Sequence, residues 1–279
     1  MKRENNTQLL VSVVMPCFND GKYIDEAIAS VLSQTYKNVE IIVIDDGSTD
    51  QLTKTLLANK KWPKTKIIHI PHSGPSFARN IGIQESCGQY ILPLDSDDKI
   101  KPTYIEKALR ILETQPNVGI VYCQAEFFGK RTGKWRLPEY SLARMLLENI
   151  IFVCALFRKE DWQKVGGFKP EFVDGMEDYD FWLSIIELGR EVVQLPELLF
   201  LYRIKENSRT KQFIATQKKL IDSYDRIYCN HPKLFSENID LFVHVLRKAL
   251  LDQIEWSKKY RGIIEKLGQI KELFKGKKI

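Results

Sequence analysis

Short β-branched apolar runs alternate with amphipathic stretches over the first hundred residues. VSVVMP (11–16), VEIIVID (39–45), TKIIHI (65–70) and QYILPL (89–94) are largely apolar, lack strict alternation and are bounded by turn formers. Each reads as a strand, and VSVVMP, a β-branched run closed by a proline, as a buried one. Between them, Ile24, Ala27, Ile28, Val31 and Leu32 recur at helical spacing within 22–33. DGSTD offers Ser48, Thr49 or Asp50 as the cap of a helix running to Leu57, and SGPSFARNIGIQES (73–86) opens on turn residues and continues as a helix. Strand and helix alternating through four strands predict a parallel sheet with right-handed crossovers, half of a doubly wound α/β domain.

The alternation then loosens. A helix is predicted over 103–114 and a strand over VGIVYCQAEFF (118–128), with a turn at GKRTG. SLARMLLEN (141–149) reads as a helix, IIFVCALFR (150–158) as a strand, and VGGF (165–168) as a turn. DGMEDYDFWLSIIELG (174–189) starts a helix with a concentrated acidic head, followed by short strands EVVQL and LLFLYR. From about residue 208 the pattern is helical to the end, without internal repeat or low-complexity segment. The expected division is a domain over 1–208, with a nucleotide-binding half at about 10–100 and an acceptor half at about 101–208, and a helical extension over 209–279.

Composition sharpens this. With 44% apolar and 28% charged residues, the chain of 279 residues is of the globular class. No window approaches the roughly 18 apolar residues of a membrane-spanning helix, and no signal-peptide pattern precedes Pro16. Five widely spaced cysteines without a C-x-x-C read as reduced thiols in a cytoplasmic protein. The net charge of +6 is carried by the stretch from Arg247 to the end, with ten Lys or Arg against four acids. The neutral remainder argues against nucleic acid as partner.

Acidic residues gather where the strands end. Asp45 and Asp46 close the second strand, Asp95, Asp97 and Asp98 the fourth, and Pro16, Phe18 and Asn19 the first. In an open parallel sheet those ends share one edge, where ligands bind. An acidic edge calls for a cation, and a hard divalent ion with oxygen ligands brings substrate phosphates with it. DSDDKIKPTYIE is no EF-hand loop, since Lys99 and Ile100 stand where a ligand oxygen and a glycine are required. Lys99 also departs from the Asp-x-Asp motif of haloacid-dehalogenase-like phosphatases. A solvated acidic turn is the bland alternative. Walker A, G-x-G-x-x-G and nucleophile-elbow motifs are absent, and the four histidines form no metal-spaced pair.

VSVVMPCFND, SVLSQTYKNVEIIVIDDGSTD, SGPSFARNIGI, GQYILPLDSDD and GMEDYDFWLSI resemble, in this order, the motifs of inverting family 2 glycosyltransferases of the GT-A fold, over roughly residues 10–205. The resemblance implies that Pro16, Phe18 and Asn19 contact the nucleotide base, Phe18 by stacking although tyrosine is more usual there. It implies that Asp46 accepts from an imide N–H such as uracil's, and that Arg79 and Asn80 face the nucleotide or its phosphates. Asp97 would ligate Mn²⁺ or Mg²⁺, and Asp95 would bind the ribose or complete the metal shell. Asp178 would be the general base that deprotonates an acceptor hydroxyl, with Trp182 stacking on a sugar or packing in the core. Lys205 stands where many relatives carry a histidine and would neutralise phosphate.

The implied activity is metal-dependent inverting transfer of a hexose or N-acetylhexosamine from a nucleoside-diphosphate sugar, a UDP-sugar foremost, to a hydroxyl of a glycan on lipid or protein. The alternatives are a non-catalytic nucleotide- or glycan-binding module of the same fold and another metal-dependent nucleotide enzyme. In the extension, Ile239, Phe242, Val243, Leu246, Leu250 and Ile254 share one helical face above a basic end. Three partners suit that face: the domain itself or a second protomer, an anionic membrane surface at the inner face of the membrane, or a docking protein. Exposure of Trp256, Ile264 and Phe274 would favour the membrane.

Overall fold

A computed structural model of the chain describes residues 9–173, 175–206 and 216–275. The chain divides into two compact units. One comprises the described residues up to Tyr140 together with Asn149–Pro232; the other comprises Ser141–Glu148 and the residues from Lys233 onward.

The first unit is built on one mixed sheet. Strands β1 (Val11–Cys17), β2 (Val39–Asp46), β3 (Thr65–Ile70) and β4 (Tyr90–Pro93) lie in the order β3–β2–β1–β4, all parallel. Helices α1 (Ile24–Leu32), α2 (Gln51–Asn59) and α3 (Pro75–Gln84) alternate with them, as the apolar pattern predicts. Val11, Val13, Val14, Met15 and Ile41 to Ile44 are almost wholly buried, which explains the near-continuous apolar runs of β1 and β2, whereas β3 at the sheet edge is only partly covered. Asp50 caps α2, its carboxylate accepting from the Thr53 amide at 2.9 Å.

The sheet continues through short β5 (Lys99–Ile100), long β6 (Val118–Gly129), β7 (Gly133–Trp135), β8 (Leu156–Arg158) and β9 (Glu191–Ile204) in the order β4–β8–β6–β9–β5, with β7 paired to β6. Two local expectations change here. Of the strand predicted over 150–158, only Leu156–Arg158 pairs, antiparallel to both β4 and β6. The preceding carbonyls are taken by side chains instead: Trp182 Nε1 donates to Ile151 O at 3.1 Å and the Tyr104 hydroxyl to Cys154 O at 2.7 Å. EVVQL and LLFLYR are one strand, β9, whose register against β6 shifts around Cys123–Ala125, opposite the stretch that holds Pro196. A proline removes one ladder donor, which is met by an irregularity rather than a break.

Helices α4 (Tyr104–Thr114), α6 (Lys159–Val165), α7 (Glu177–Glu187) and α8 (Gln217–Asn230) complete this unit. The second unit holds α5 (Leu142–Leu147), most of α9 (Pro232–Glu237) and α10 (Ile239–Lys275). There Phe235 meets Phe242 edge to face at 5.2 Å. Of the predicted apolar face, Ile239, Val243, Leu246, Leu250 and Ile254 are exposed, as is Trp256 at 52%. Ile264 and Phe274 lie outside the described side chains. Among the described residues, no helix is long and apolar enough to cross a membrane.

Candidate active site

The carboxyl ends of β1, β2 and β4 open onto a cleft of about 300 Å³. Two glycines let the elements close around it. Gly82 of α3 sits so near the sheet that a Cβ would come within 2.4 Å of Val14 Cγ1, and this approach carries Arg79, one turn earlier, to the strand ends. Gly47, at φ +67°, follows Asp46, where a Cβ would lie 2.6 Å from the His72 amide nitrogen. The β2 turn and the 71–74 loop are thereby packed together.

One wall of the cleft is aromatic. Phe18 and His72 stack at 4.2 Å between centroids, 23° from parallel, and both line the cleft with Pro16 and Asp46. Phe18 is 39% exposed, which rules out ordinary core packing for it. Asp46 is held tightly: Oδ1 accepts from the Ser73 amide at 2.7 Å, Oδ2 from the Gly74 amide at 3.0 Å, and His72 Nδ1 lies 2.9 Å from Oδ2. Its immediate task is to set the 72–74 loop beside Phe18.

Asn19 departs from expectation. Its left-handed backbone (φ 59°) turns the side chain toward the 48–50 turn, where Oδ1 accepts from the Thr49 amide at 2.7 Å and the Asp50 amide at 3.1 Å. It joins the loops after β1 and β2 and is not among the cleft-lining residues. Asn80 likewise serves the scaffold, bonding Phe168 N and O and Trp162 Nε1.

The opposite wall is ionic, and each carboxylate of the DSDD turn has its own partner. Arg79, 2% exposed, donates to Asp95 Oδ1 at 2.7 Å and to Glu177 Oε1 at 2.8 Å. Burial works against its charge, but the two carboxylates more than offset this and its pKa is raised. Lys205 Nζ lies 2.7 Å from Asp97 Oδ2 and 2.9 Å from Asp20 Oδ1, and Asp20 in turn accepts from Ser96 Oγ at 3.3 Å. Buried Asp98 accepts from the Arg203 amide at 2.7 Å, and Arg203 Nε donates to the Asp97 carbonyl at 2.7 Å.

These partners do not neutralise the site. Four acids line the cleft (Asp20, Asp46, Asp95 and Asp97) against Arg79, Arg203 and Lys205, with Asp98 and Glu177 adjoining. Burial pushes the Asp97 carboxyl up to about 6; Lys205 opposes the rise while Asp95 and Asp20 add to it. Burial together with Asp97 and Asp95 also holds the Asp98 carboxyl well above the usual carboxylate range. This surplus of negative charge on hard oxygen donors fits a divalent cation. Among the described residues no three His, Cys, Asp or Glu side chains form a ready cage, so Asp97 and Asp95 would supply only part of a shell. Mg²⁺ and its like are commonly held that way, the remaining positions being filled by water and substrate phosphate.

Helix α7 brings the acidic motif to this wall. Glu177 is the member that reaches Arg79, while Asp178 is half-buried, its Oδ1 accepting from Asn149 Nδ2 at 3.1 Å. Trp182 needs a correction. It is fully buried, its indole N–H bonded to Ile151 O, and it packs on Phe157 and Phe181, so it is a core residue that no sugar reaches. Five positions beyond Glu177 on a helix leads to the core side, where the sheet waits.

The far side of α7 is pinned by a buried histidine. His231 Nδ1 lies 2.8 Å from Glu187 Oε2 and Nε2 3.2 Å from Asp180 Oδ1, while Lys169 and Asn230 also reach Asp180. Two ring nitrogens facing two carboxylates are both satisfied as donors only by the imidazolium. Burial disfavours that charge, but the bonds to Asp180 and Glu187 outweigh it and the pKa is raised. A raised folded pKa means stability that is fully present below the unfolded value of about 6.5 and lost as pH rises through the folded one. The melting temperature of the wild type is therefore expected to fall as pH climbs above about 6.5, relative to His231→Gln, in calorimetric scans. Parallel curves for the two proteins would show that folding leaves the His231 pKa unraised.

Asp20, His72, Arg203 and Glu177 are cleft or partner residues that sequence spacing did not single out. Asp20 directly follows the FN pair, and Glu177 directly precedes Asp178. Each adjoins a residue with a motif role, Asn19 in one case and Asp178 in the other, and only the packing separates their tasks.

The sequence profile of Glycosyl transferase family 2 matches residues 12–176. An uncharacterized glycosyltransferase of Rickettsia prowazekii is 33% identical over 275 residues, covering 94% of this chain and 84% of that protein. One from Rickettsia conorii is 45% identical over 103 residues, 37% of this chain but 17% of the longer relative. Among solved structures, Staphylococcus aureus TarS 1–349 in complex with UDP-GlcNAc matches with a TM-score of 0.62 at 21% identity, over 73% of this chain and 61% of that one. At that identity the likeness concerns the fold, and it is the GT-A fold that the sequence motifs imply.

Proposed function

This chain belongs to glycosyl transferase family 2, and we propose that it is a metal-dependent, inverting hexosyltransferase using a UDP-sugar. The observation that carries the reading is the two-sided cleft at the strand ends: an exposed aromatic pair, Phe18 and His72, faces an ionic wall containing Asp95, Asp97, Arg79 and Lys205. The aromatic side suits a nucleobase and the ionic side suits a diphosphate with its cation. The TarS complex with UDP-GlcNAc supports a uridine nucleotide and an N-acetylhexosamine or hexose as donor.

In this reading Phe18 stacks on the base, with Pro16 beside it and Asp46 holding the 72–74 loop that completes the pocket. Asp97 and Asp95 would hold Mn²⁺ or Mg²⁺, with Asp95 oriented by Arg79. The ion, when bound, is a Lewis acid that stabilises charge on the departing diphosphate. Lys205 adds a second positive charge on the same side. Asp178, oriented by Asn149, takes the proton of an acceptor hydroxyl as it attacks the anomeric carbon. One displacement with one base inverts the anomeric configuration. The acceptor is a glycan on lipid or protein, and the exposed apolar face of α10 suits peripheral contact with a membrane or a second protomer.

Thermal unfolding with UDP, GDP, CMP or dTDP, each with and without Mn²⁺, tests the donor assignment. At 100 times its dissociation constant a ligand adds about 2.7 kcal/mol. UDP with Mn²⁺ is expected to stabilise the wild type and to leave Asp97→Ala unchanged. Preference for another base would replace the donor, and no nucleotide response would overturn the reading.

A further inference from the structure

The three partners of the DSDD turn differ in how far they can yield. Arg79 is 2% exposed and gripped from behind by Glu177. Arg203 lies between the rings of Tyr23 and Phe128, at 4.4 and 4.2 Å, and bonds the turn through its own amide as well as its side chain. Lys205 is held less closely, its ammonium 5.5 Å from the centroid of the same Tyr23 ring and bonded to the turn through its side chain alone. Its ammonium, on a side chain one quarter exposed, reaches Asp97 and Asp20 from just beyond the end of β9 by a long unbranched stem.

Resting on the nucleotide–metal reading above, we propose that the Lys205 ammonium and the divalent cation are alternative partners of Asp97, and that the displaced ammonium turns to the nucleoside diphosphate. Two requirements of charge lead to this. A cation arriving alone at Asp97 must push an ammonium aside and remain next to it, because Asp20 keeps that ammonium close. A diphosphate arriving alone meets the carboxylates of Asp20, Asp95 and Asp97. When both arrive together, the cation takes Asp97 and the phosphate oxygens take Lys205, so every charge acquires an opposite neighbour. Metal and nucleotide therefore assist each other's binding, and the assistance is reciprocal by linkage. Lys205 is the residue that makes the site demand both ligands.

The test is Mn²⁺ binding, followed by the electron paramagnetic resonance signal of the free ion, with and without UDP, on full-length wild type, Lys205→Met and Lys205→Arg. Calorimetric melting of each variant verifies its fold. In the wild type UDP is expected to tighten Mn²⁺ by a factor within the usual range of about 5–150 for coupled sites. In Lys205→Met, Mn²⁺ alone is expected to bind several-fold tighter and the factor gained from UDP to shrink toward one. Lys205→Arg, which retains the charge, is expected to keep most of the coupling. If Lys205→Met leaves Mn²⁺ affinity without UDP unchanged while wild type still binds the two cooperatively, the competition is refuted and the nucleotide–metal reading stands. If wild type binds no Mn²⁺ even with UDP, that reading fails and takes the competition with it.

Discussion

Asp178→Asn is expected to slow sugar transfer by about 10²–10⁴-fold, the usual contribution of a positioned general base. Stabilisation by UDP and Mn²⁺ is expected to survive, because Asp178 is not among the residues that line the cleft at the strand ends. The amide keeps the shape and retains a carbonyl oxygen for Asn149, so the loss reports on proton transfer rather than on folding. The measurement is release of UDP from the donor sugar, followed against time in single-turnover and steady-state modes. Transfer at near wild-type rate would remove Asp178 from the role of base. Glu177→Gln is the control, since Glu177 is 3% exposed and bonded to Arg79. Its replacement is expected to weaken the fold rather than to reveal an alternative base.

Arg79→Met is expected to destabilise the protein by about 3–5 kcal/mol, the range for removing one partner of a buried ion pair. Methionine fills much of the volume, so the effect isolates the charge. Glu177 would remain almost completely buried without its partner, and Asp95 would lose the contact that orients it. Chemical denaturation at neutral pH measures the loss, and lowering the pH is expected to recover part of it as the stranded carboxylates take up protons. A loss under about 1 kcal/mol would mean that water or another cation reaches Glu177. Because Arg79 ties α3 to both the DSDD turn and α7, nucleotide binding is expected to weaken with stability.

How much of this was legible beforehand depends on the range of the interaction concerned. The four parallel strands and the helices between them follow from local apolar runs and spacing, and the structure has them within a residue or two. The strand expected over 150–158 shrank to three residues because Tyr104 and Trp182, 50 and 31 positions from the carbonyls they bond, satisfy the backbone there. No local pattern encodes such a bond. Trp182 shows the same limit: an aromatic one turn beyond an acidic motif suits a sugar platform and a core equally, and burial decides for the core.

By itself the sequence determined which residues stand at the strand ends, since period and composition mark each strand and the chain supplies its last residue directly. It thereby placed Phe18, Asp46, Asp95 and Asp97 along one edge. Only the tertiary structure decided which charge meets which. Arg79 pairs with Glu177 across 98 positions and Lys205 with Asp20 across 185, and in each case several carboxylates compete for the same cation. The Coulomb interaction depends on separation in space and on burial, neither of which sequence spacing records. The chain therefore announces an acidic edge, and the fold divides it into a buried, fixed pair at Arg79 and a yielding one at Lys205.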